Sequence, residues 1–246
     1  TNTSVYTIAI DPDAPETLYA GTYGGGFKST NSGEIWVEAN DGLTDLYAYR
    51  LAIDPETTTT LYAGTLGGGV FKSTDGGGEW SEVNNSLTST RVLALAIDPL
   101  TPDTIYAGTD GGAFKSLNGG ESWSEVNNGL PLYSTDILAL AIDPLTPDTI
   151  YAGTLDGVFK STNGGGNWSQ ANSGLLATSA FALAIDPDAP DTLYAGTSGG
   201  GVFTSADGGG GWSKVNNGLT NTLIYALVID PDNPATLYVG TNGGGV

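Results

Sequence analysis

Several residue types on which catalysis and metal binding often depend are missing from this chain of 246 residues. The absence of cysteine excludes disulfides, thiol chemistry and cysteine metal ligands. The absence of histidine removes the commonest general base and metal ligand. Arginine occurs only at Arg50 and Arg91, so no site in this sequence can hold a carboxylate between three arginines. Methionine is absent even at residue 1, and we therefore expect a mature or excised part of a longer protein.

Positive charge is also scarce, because 7 basic residues stand against 27 acidic ones and give a net charge of −20. A surface of this charge repels phosphate, so we expect no nucleic-acid or anionic-membrane partner. No apolar run reaches 18 residues, which argues against membrane insertion, and no signal peptide is recognisable. We expect no metal and no cofactor.

The chain does contain a repeat. The pattern Ser-x-Asp/Asn-x-Gly-x-x-Trp, called the box below, occurs five times, and its tryptophans are 44, 43, 45 and 44 residues apart. A constant period of this size indicates a repeat architecture. The box residues are Ser29, Asn31, Gly33 and Trp36; Ser73, Asp75, Gly77 and Trp80; Ser116, Asn118, Gly120 and Trp123; Ser161, Asn163, Gly165 and Trp168; and Ser205, Asp207, Gly209 and Trp212.

Two further phrases keep the same period, and they divide each unit into short strands. Ile-Asp-Pro begins at Ile10, Ile53, Ile97, Ile142, Ile185 and Ile229. Tyr-Ala-Gly-Thr begins at Tyr19, Tyr62, Tyr106, Tyr151 and Tyr194, and Tyr238 begins a sixth, Tyr-Val-Gly-Thr copy. Around them, four apolar or alternating runs are separated by Gly, Pro, Asn and Asp, which is typical of short strands and turns.

Four strands in about 40–45 residues is the size of a propeller blade. We therefore predict an all-β fold, a β-propeller of four-stranded antiparallel blades forming a single domain over 1–246. The repeats cover approximately 4–46, 47–89, 90–134, 135–178 and 179–222, and a partial repeat covers 223–246. This predicts six blades with the last incomplete: either blade six is short, or missing residues or a neighbouring chain complete it. The alternative is a piece of a ring of seven or more blades.

The first strand of each unit is apolar on both faces, which predicts an innermost strand buried on both sides. The fourth strand is more polar and predicts an outer edge, where Glu38, Glu82 and Glu125 would oppose edge-to-edge pairing. Within the box, we expect the Asp or Asn to accept N–H groups two residues on and the glycine to take a positive φ. A buried tryptophan would stabilise the fold by roughly 2–3 kcal/mol. Nothing in this arrangement requires a ligand, so we interpret the box as structural.

The boxes resemble Asp-box (BNR) repeats, which occur in sialidase-like propellers, xyloglucan-active glycoside hydrolases, sortilin-type receptors, photosystem II assembly factors and certain bacterial lectins. The resemblance covers essentially the whole chain and implies the propeller fold, but not one function. It implies that a sialidase would need an arginine triad, which this chain lacks, and that a xyloglucan-active enzyme would need two acids facing each other across a cleft between two propellers. Since 27 acidic residues make some carboxylate pair inevitable, such a pair identifies no catalyst. We predict no enzymatic activity and no catalytic residue.

Two other motifs carry structural interpretations. The Asp-Pro-Asp turns at Asp11, Asp186 and Asp230 lack the spacing and glycine of a calcium loop. The glycine-rich segments lack the following helix and the Gly-Lys-Ser/Thr ending of a phosphate loop. Neither motif predicts an ion or nucleotide site.

The candidate ligand-facing residues are aromatic side chains that lie outside the repeated phrases, namely Tyr23, Tyr47, Tyr49, Tyr133 and Phe181. Our first hypothesis is a non-catalytic binding scaffold that presents loop faces to a protein partner. The second is a lectin-like, carbohydrate-binding propeller, against which the scatter of these aromatics counts. The third is an accessory part of a glycoside hydrolase. Each hypothesis fits a protein that is extracellular, periplasmic or on the cell surface.

Overall fold

A computed structural model describes residues 4–131, 135–176 and 179–243, and in these residues the regular structure is entirely β-strand. The strands form five four-stranded antiparallel sheets and one two-stranded sheet, each built from strands that are consecutive in the chain. Each sheet is one propeller blade, and we number the blades 1 to 6 along the chain. The predicted all-β propeller fold is therefore confirmed, with five full blades and a partial sixth.

The strand bounds repeat from blade to blade. The first strands are Val5–Ile10 (β1), Ala48–Ile53 (β5), Val92–Ile97 (β9), Ile137–Ile142 (β13), Ala180–Ile185 (β17) and Ile224–Ile229 (β21). The second strands are Leu18–Thr22 (β2), Leu61–Thr65 (β6), Ile105–Thr109 (β10), Ile150–Thr154 (β14), Leu193–Thr197 (β18) and Leu237–Thr241 (β22). The third strands are Gly25–Ser29 (β3), Val70–Ser73 (β7), Gly112–Ser116 (β11), Gly157–Ser161 (β15) and Gly201–Ser205 (β19). The fourth strands are Val37–Glu38 (β4), Ser81–Glu82 (β8), Ser124–Glu125 (β12), Ser169–Gln170 (β16) and Ser213–Lys214 (β20).

The chain divides into two compact units, Thr1–Glu125 and Val126–Val246. The first unit contains blades 1 to 3, and its core includes Tyr62, Ile105 and Phe114. The second contains blades 4 to 6, with a core around Tyr151 and Phe203. A single domain over 1–246 stays a prediction. No helix in the described residues is long and apolar enough to span a membrane.

The burial of the strands differs from the sequence prediction. Strands β6, β10 and β14 are buried at every residue, whereas β5, β13 and β17 are mostly half-buried and β1 exposes Val5, Ile8 and Ile10. The second strand is the better covered because it has a hydrogen-bonded strand on each side. The first strand has a sheet neighbour on one side only, so its apolar composition does not make it the most buried strand.

The box is a turn closed by its own side chains. In blade 2, Ser73 Oγ donates to Asp75 Oδ1 at 2.8 Å and accepts the Gly77 N–H at 3.0 Å. Asp75 Oδ1 also accepts the N–H groups of Gly78 at 2.8 Å and Glu79 at 3.0 Å. These donors lie three and four residues after the aspartate, not two as the sequence analysis expects, because the carboxylate bridges the far end of the turn. Gly77 has a φ of 83°, the left-handed region that favours glycine.

Candidate ligand-binding surface

A β-bulge occurs at the same place in the first strand of every blade. In β1 the pairing register shifts between Val5 and Thr7 and leaves Tyr6 between them unpaired with β2. The same shift occurs in the other five first strands. A bulge bends the strand and re-aims the side chain of the extra residue. The residues at this bulge position are Tyr6, Tyr49, Leu93, Leu138, Phe181 and Tyr225.

Two of these bulge residues belong to a group of four tyrosines in the first unit. We call Tyr6, Tyr23, Tyr47 and Tyr49 the tyrosine cluster. The ring centroids of Tyr6 and Tyr49 lie 5.3 Å apart, and those of Tyr6 and Tyr47 lie 6.0 Å apart in a stacked arrangement. The ring centroids of Tyr47 and of Tyr23, which follows β2, lie 4.2 Å apart in a T-shaped arrangement with 79° between the planes. Contacts of this geometry between aromatic rings are favourable, so the cluster forms one continuous aromatic surface.

The cluster is partly open to solvent, since Tyr6 is 38% exposed and Tyr23 is 49% exposed. Hydrogen bonds fix the backbone beneath it. Asp45 Oδ1 accepts the Tyr47 N–H at 3.0 Å, and Asp45 Oδ2 accepts the Gly68 N–H at 2.8 Å. One carboxylate thus joins the segment that carries Tyr47 to the turn between β6 and β7, which holds the aromatic surface in a defined place.

Arg50 lies next to the cluster and gives it a positive charge. Its guanidinium carbon is 4.2 Å from the centroid of the Tyr49 ring, and its Nη1 donates to the Tyr49 carbonyl at 2.9 Å. A guanidinium over a tyrosine face is a favourable cation–π contact. Burial lowers the pKa of Arg50, since desolvation disfavours the charged form.

Tyr47 is the central hydroxyl of the group. Desolvation, followed by hydrogen bonds with the hydroxyls of Tyr6 and Tyr23, raises its pKa to about 12. A phenol with a raised pKa stays protonated at neutral pH and keeps its donor. The surface therefore offers aromatic faces, the neutral hydroxyl of Tyr47 and one guanidinium, which are groups suited to binding.

The structure thus brings together three of the five predicted ligand-facing residues, Tyr23, Tyr47 and Tyr49. Phe181 lies in the second unit, where its ring stacks on Tyr225 at 5.8 Å with 7° between the planes. Tyr133 lies outside the described residues.

Tyr6 and Tyr225 were not among the predicted ligand-facing residues. Tyr49 and Phe181 lie outside the repeated phrases but occupy the same bulge position as these two residues. Each bulge residue stands four positions before the isoleucine of Ile-Asp-Pro, so an alignment of the units on that phrase finds all of them.

A cleft also recurs between neighbouring blades. In the first unit a cavity of about 370 Å³ is lined by Lys28, Glu38, Asp75 and Gly76, among others. In the second unit a cavity of about 290 Å³ is lined at equivalent positions by Lys160, Gln170, Asp207 and Gly208. The lysine of each cleft donates to the glycine carbonyl, from Lys28 to Gly76 and from Lys160 to Gly208, at 2.9 Å in both cases. These clefts offer polar groups from two successive blades.

The acidic turns have local hydrogen-bond partners. Asp11 Oδ1 accepts the N–H groups of Asp13 at 3.0 Å and Ala14 at 3.3 Å, and Asp186 and Asp230 make the same pair of bonds. In the part of the chain that the structure describes, no three Asp or Glu side chains come together as metal ligands. The turns are therefore explained by the backbone that they close.

Comparison with known proteins supports the fold. No protein-family model matches the chain, and no curated protein sequence matches it. Among solved structures, an ancestral GH74 enzyme has a TM-score of 0.84 and 24% identity, over 98% of this chain and 35% of that one. The extracellular domain of a protein described as a hybrid two-component system from B. thetaiotaomicron has a TM-score of 0.76 and 18% identity, over 98% of this chain and 32% of that one.

YCF48 from Cyanidioschyzon merolae has a TM-score of 0.58 and 13% identity, over 97% of this chain and 93% of that one. The chain therefore spans about a third of the length of the first two proteins and nearly the whole of the third. These similarities place the chain among propeller proteins. At identities below 25% they concern the fold alone.

Proposed function

We propose that the chain is a non-catalytic binding propeller and that the tyrosine cluster is the surface that receives its partner. The observation that supports this proposal is the convergence of four tyrosines and Arg50 from two successive blades on one partly exposed surface. Tyrosine and arginine are the residue types that contribute most strongly at protein interfaces. A protein partner is therefore the first candidate. We also infer that the boxes are Asp-box repeats, because their serine and Asp/Asn side chains close the same turn in all five copies.

The composition supports the non-catalytic part of the proposal. The sequence has no histidine or cysteine, and its two arginines do not serve as a carboxylate clamp. Arg50 is held by the ring and carbonyl of Tyr49, while Arg91 is exposed just before β9. Arg50 is therefore explained by its contacts within the fold, and Arg91 by its exposure to solvent.

An extracellular, periplasmic or cell-surface location fits this proposal. One structural neighbour is itself an extracellular domain. The absence of cysteine means that an oxidising compartment would not alter the chain.

A carbohydrate ligand is the second candidate, and two observations favour it. The cleft between successive blades recurs with lysine, aspartate and glycine at equivalent positions, and a lectin of this fold would be expected to repeat its sites. The Phe181–Tyr225 pair adds a flat aromatic surface of the kind on which the apolar face of a sugar ring can stack.

The experiment that tests the proposal uses two probes, a phage-displayed peptide library and a glycan array, on the whole chain. Binding to each probe is measured for the unchanged chain and for a variant in which Tyr6 and Tyr23 are both replaced by alanine. Tyr238→Ala is the matched control, because Tyr238 is a tyrosine that is 52% exposed and lies outside the cluster.

We expect binding that is lost in the double variant and kept in the control, since loss of interface anchors typically costs 2 kcal/mol or more, about 30-fold in affinity. Peptide ligands would identify the first candidate and glycans the second. Binding that survives in the double variant, or no ligand from either probe, would count against the tyrosine cluster as the binding surface. Hydrolysis of a bound glycan would overturn the non-catalytic assignment.

A further inference from the structure

The rings of the tyrosine cluster meet at different angles, so they form a ridged surface and not a flat one. The plane of Tyr47 is turned 79° from that of Tyr23 and 29° from that of Tyr6, and the planes of Tyr6 and Tyr49 differ by 49°. By contrast, only 7° separates the planes of the aromatic pair in the second unit. A flat platform suits one face of a sugar ring, whereas a ridged aromatic surface suits a ligand that carries bulky apolar groups on several sides.

Acceptors beneath the cluster are already engaged within the fold. Both oxygens of Asp45 accept backbone N–H groups, at 3.0 and 2.8 Å. The Tyr47 carbonyl accepts the Leu66 N–H at 3.3 Å, and the Tyr49 carbonyl accepts a bond from Arg50 at 2.9 Å. A ligand that docks here therefore meets few free acceptors for N–H groups of its own.

Donors remain available at the same place. The Tyr47 hydroxyl keeps its proton at neutral pH, because desolvation raises its pKa to about 12. A guanidinium carries five N–H donors, and the bond from Arg50 to the Tyr49 carbonyl uses one of them. The surface thus offers more donors than free acceptors, and it has a positive charge beside it.

A proline-rich segment complements a surface of this kind. Proline has no backbone N–H, so such a segment brings carbonyl acceptors without donors that need a partner. An ordinary peptide would bury N–H groups that find no acceptor, which opposes binding. In the polyproline II (PPII) helix three residues complete a turn without internal hydrogen bonds, so the carbonyls stay free and the apolar rings lie on several sides. Because this conformation exists before binding, docking costs little chain entropy.

We propose that the tyrosine cluster binds a proline-rich peptide segment of its protein partner in the PPII conformation. This inference rests on the proposed function and adds the chemical class of the partner. The pyrrolidine rings pack between the tyrosine rings, while the Tyr47 hydroxyl and the remaining N–H groups of Arg50 donate to peptide carbonyls. The carbonyl dipoles of the ligand are thus the electrostatic complement of the donors on the surface. Since proline is uncharged, the net charge of −20 does not oppose its approach.

The length of the cluster fits a short segment. From Tyr23 through Tyr47 and Tyr6 to Tyr49, the ring centroids follow a path of about 16 Å, and a PPII helix that rises about 3.1 Å per residue covers this path with roughly five residues. Tyr6 and Tyr23 belong to blade 1, whereas Tyr47 and Tyr49 belong to blade 2. The bound segment therefore contacts both blades.

The test is isothermal titration calorimetry of the whole chain with L-decaproline, acetylated and amidated at its ends so that the peptide is uncharged. D-Decaproline with the same ends is the matched control peptide, because it has the same composition and forms the mirror-image helix. The variants are Y6A/Y23A, Tyr47→Phe and Tyr238→Ala, the last of which changes an exposed tyrosine outside the cluster. Circular dichroism and thermal unfolding check that each variant is folded.

We expect L-decaproline to bind and D-decaproline to bind at least about 10-fold more weakly. Y6A/Y23A should lose at least about 30-fold in affinity for L-decaproline, as for the loss of interface anchors. Tyr47→Phe keeps the ring and removes the donor, so its affinity should fall by roughly 3- to 10-fold, the effect of one ordinary hydrogen bond. Tyr238→Ala should bind like the unchanged chain.

Equal binding of the two peptides, or binding that survives in Y6A/Y23A, would overturn the proposal, because the contact would then be unspecific or lie elsewhere. Unchanged affinity in Tyr47→Phe would contradict the donor match on which the choice of proline depends. The phage-displayed library separates this inference from the proposed function. Proline-free library peptides that need Tyr6 and Tyr23, together with no binding of L-decaproline, would overturn the PPII ligand and leave the cluster as the binding surface. No ligand of either kind at the cluster would overturn both.

Discussion

Lys28 in blade 1 donates from Nζ to the Gly76 carbonyl in the box of blade 2 at 2.9 Å, and the same ammonium lies 5.3 Å from the centroid of the Tyr19 ring. The lysine stem is half-buried, so the charge is held between a ring of its own blade and a carbonyl of the next. This bond links two blades through one side chain. The equivalent bonds are made by Lys72 and Lys160, which shows that the contact belongs to the repeat.

Replacing Lys28 by methionine should keep the packing of the stem and remove the charged donor. Because a hydrogen bond from a charged group typically contributes about 1.5–3 kcal/mol, we expect a loss of roughly this size in the free energy of unfolding, reduced by the partial exposure of the site. Urea unfolding at neutral pH measures it. Lys214→Met is the control, since Lys214 lies on the fourth strand of its blade with its ammonium 5.7 Å from the Phe203 ring centroid, and it donates to no box carbonyl in the described residues. Equal losses in both variants would contradict an interblade role for Lys28.

The box tryptophans should differ in their contribution to stability although the sequence gives them one motif. Trp80→Ala removes a side chain that is 4% exposed and leaves the Ala39 carbonyl without its donor, so we expect a loss of about 3–5 kcal/mol. Trp36→Ala removes a side chain that is 37% exposed, and we expect a clearly smaller loss. Thermal unfolding of the two variants beside the unchanged chain compares the two losses. A Trp36 variant as unstable as the Trp80 variant would show that the first box is covered in solution.

The repeat made the blades predictable, because a fixed period with glycine, proline and asparagine between short apolar runs has few alternative folds. The bonds from the indole and backbone N–H groups of Trp80 to the carbonyls of Ala39 and Asp41 were not predictable, since they depend on the distance between successive blades and not on any local pattern. The tyrosine cluster was predictable in part. Tyr23, Tyr47 and Tyr49 stand out from the repeated phrases, whereas Tyr6 is hidden in an apolar strand until the bulge position is identified.

Burial was the least predictable property. The apolar composition of β1 and β5 predicts burial on both faces, but coverage depends on which strands pair and on what lies against each sheet. An apolar residue such as Ile8 is 60% exposed in the first blade, whereas the corresponding residues of the later blades are half-buried or, at Leu227, buried. The repeat places an apolar residue at this position in every blade, but the burial of that residue depends on what packs against its blade.

Acid stability should depend on which boxes carry aspartate. Three boxes have asparagine, while Asp75 and Asp207 titrate. The N–H of Glu79 and then the Ser73 hydroxyl lower the pKa of Asp75, and the Ser205 hydroxyl and then the N–H of Gly211 lower that of Asp207.

A lowered pKa means that each carboxylate stabilises the fold at pH values above its unfolded pKa of about 3.9. That contribution is lost as the pH falls through the lower folded value. The double variant D75N/D207N should therefore lose less stability between pH 7 and pH 2 than the unchanged chain. Urea midpoints at a series of pH values measure this slope. Asp148→Asn, which changes an acid outside the boxes, tests whether the effect is specific to the box, and identical slopes in all three chains would contradict the assignment.

Tyrosines should control how the stability of the fold changes at alkaline pH, and Tyr47 is the most informative of them. Its pKa is raised to about 12, and burial also raises the pKa of Tyr62 and Tyr151. A group whose folded pKa exceeds its unfolded value of about 10 stabilises the fold fully below pH 10, and this contribution is lost as the pH rises toward the folded pKa. We therefore expect stability to fall above pH 10.

An absorbance titration of tyrosinate should show a late fraction near pH 12 that shrinks by one tyrosine in Tyr47→Phe. Tyr238→Phe, which removes an exposed hydroxyl outside the cluster, is the control for the effect of losing one tyrosine on the fold. If Tyr47→Phe leaves the late fraction unchanged, the hydroxyls of Tyr6, Tyr23 and Tyr47 do not form the hydrogen-bonded group on which the proposed binding surface depends.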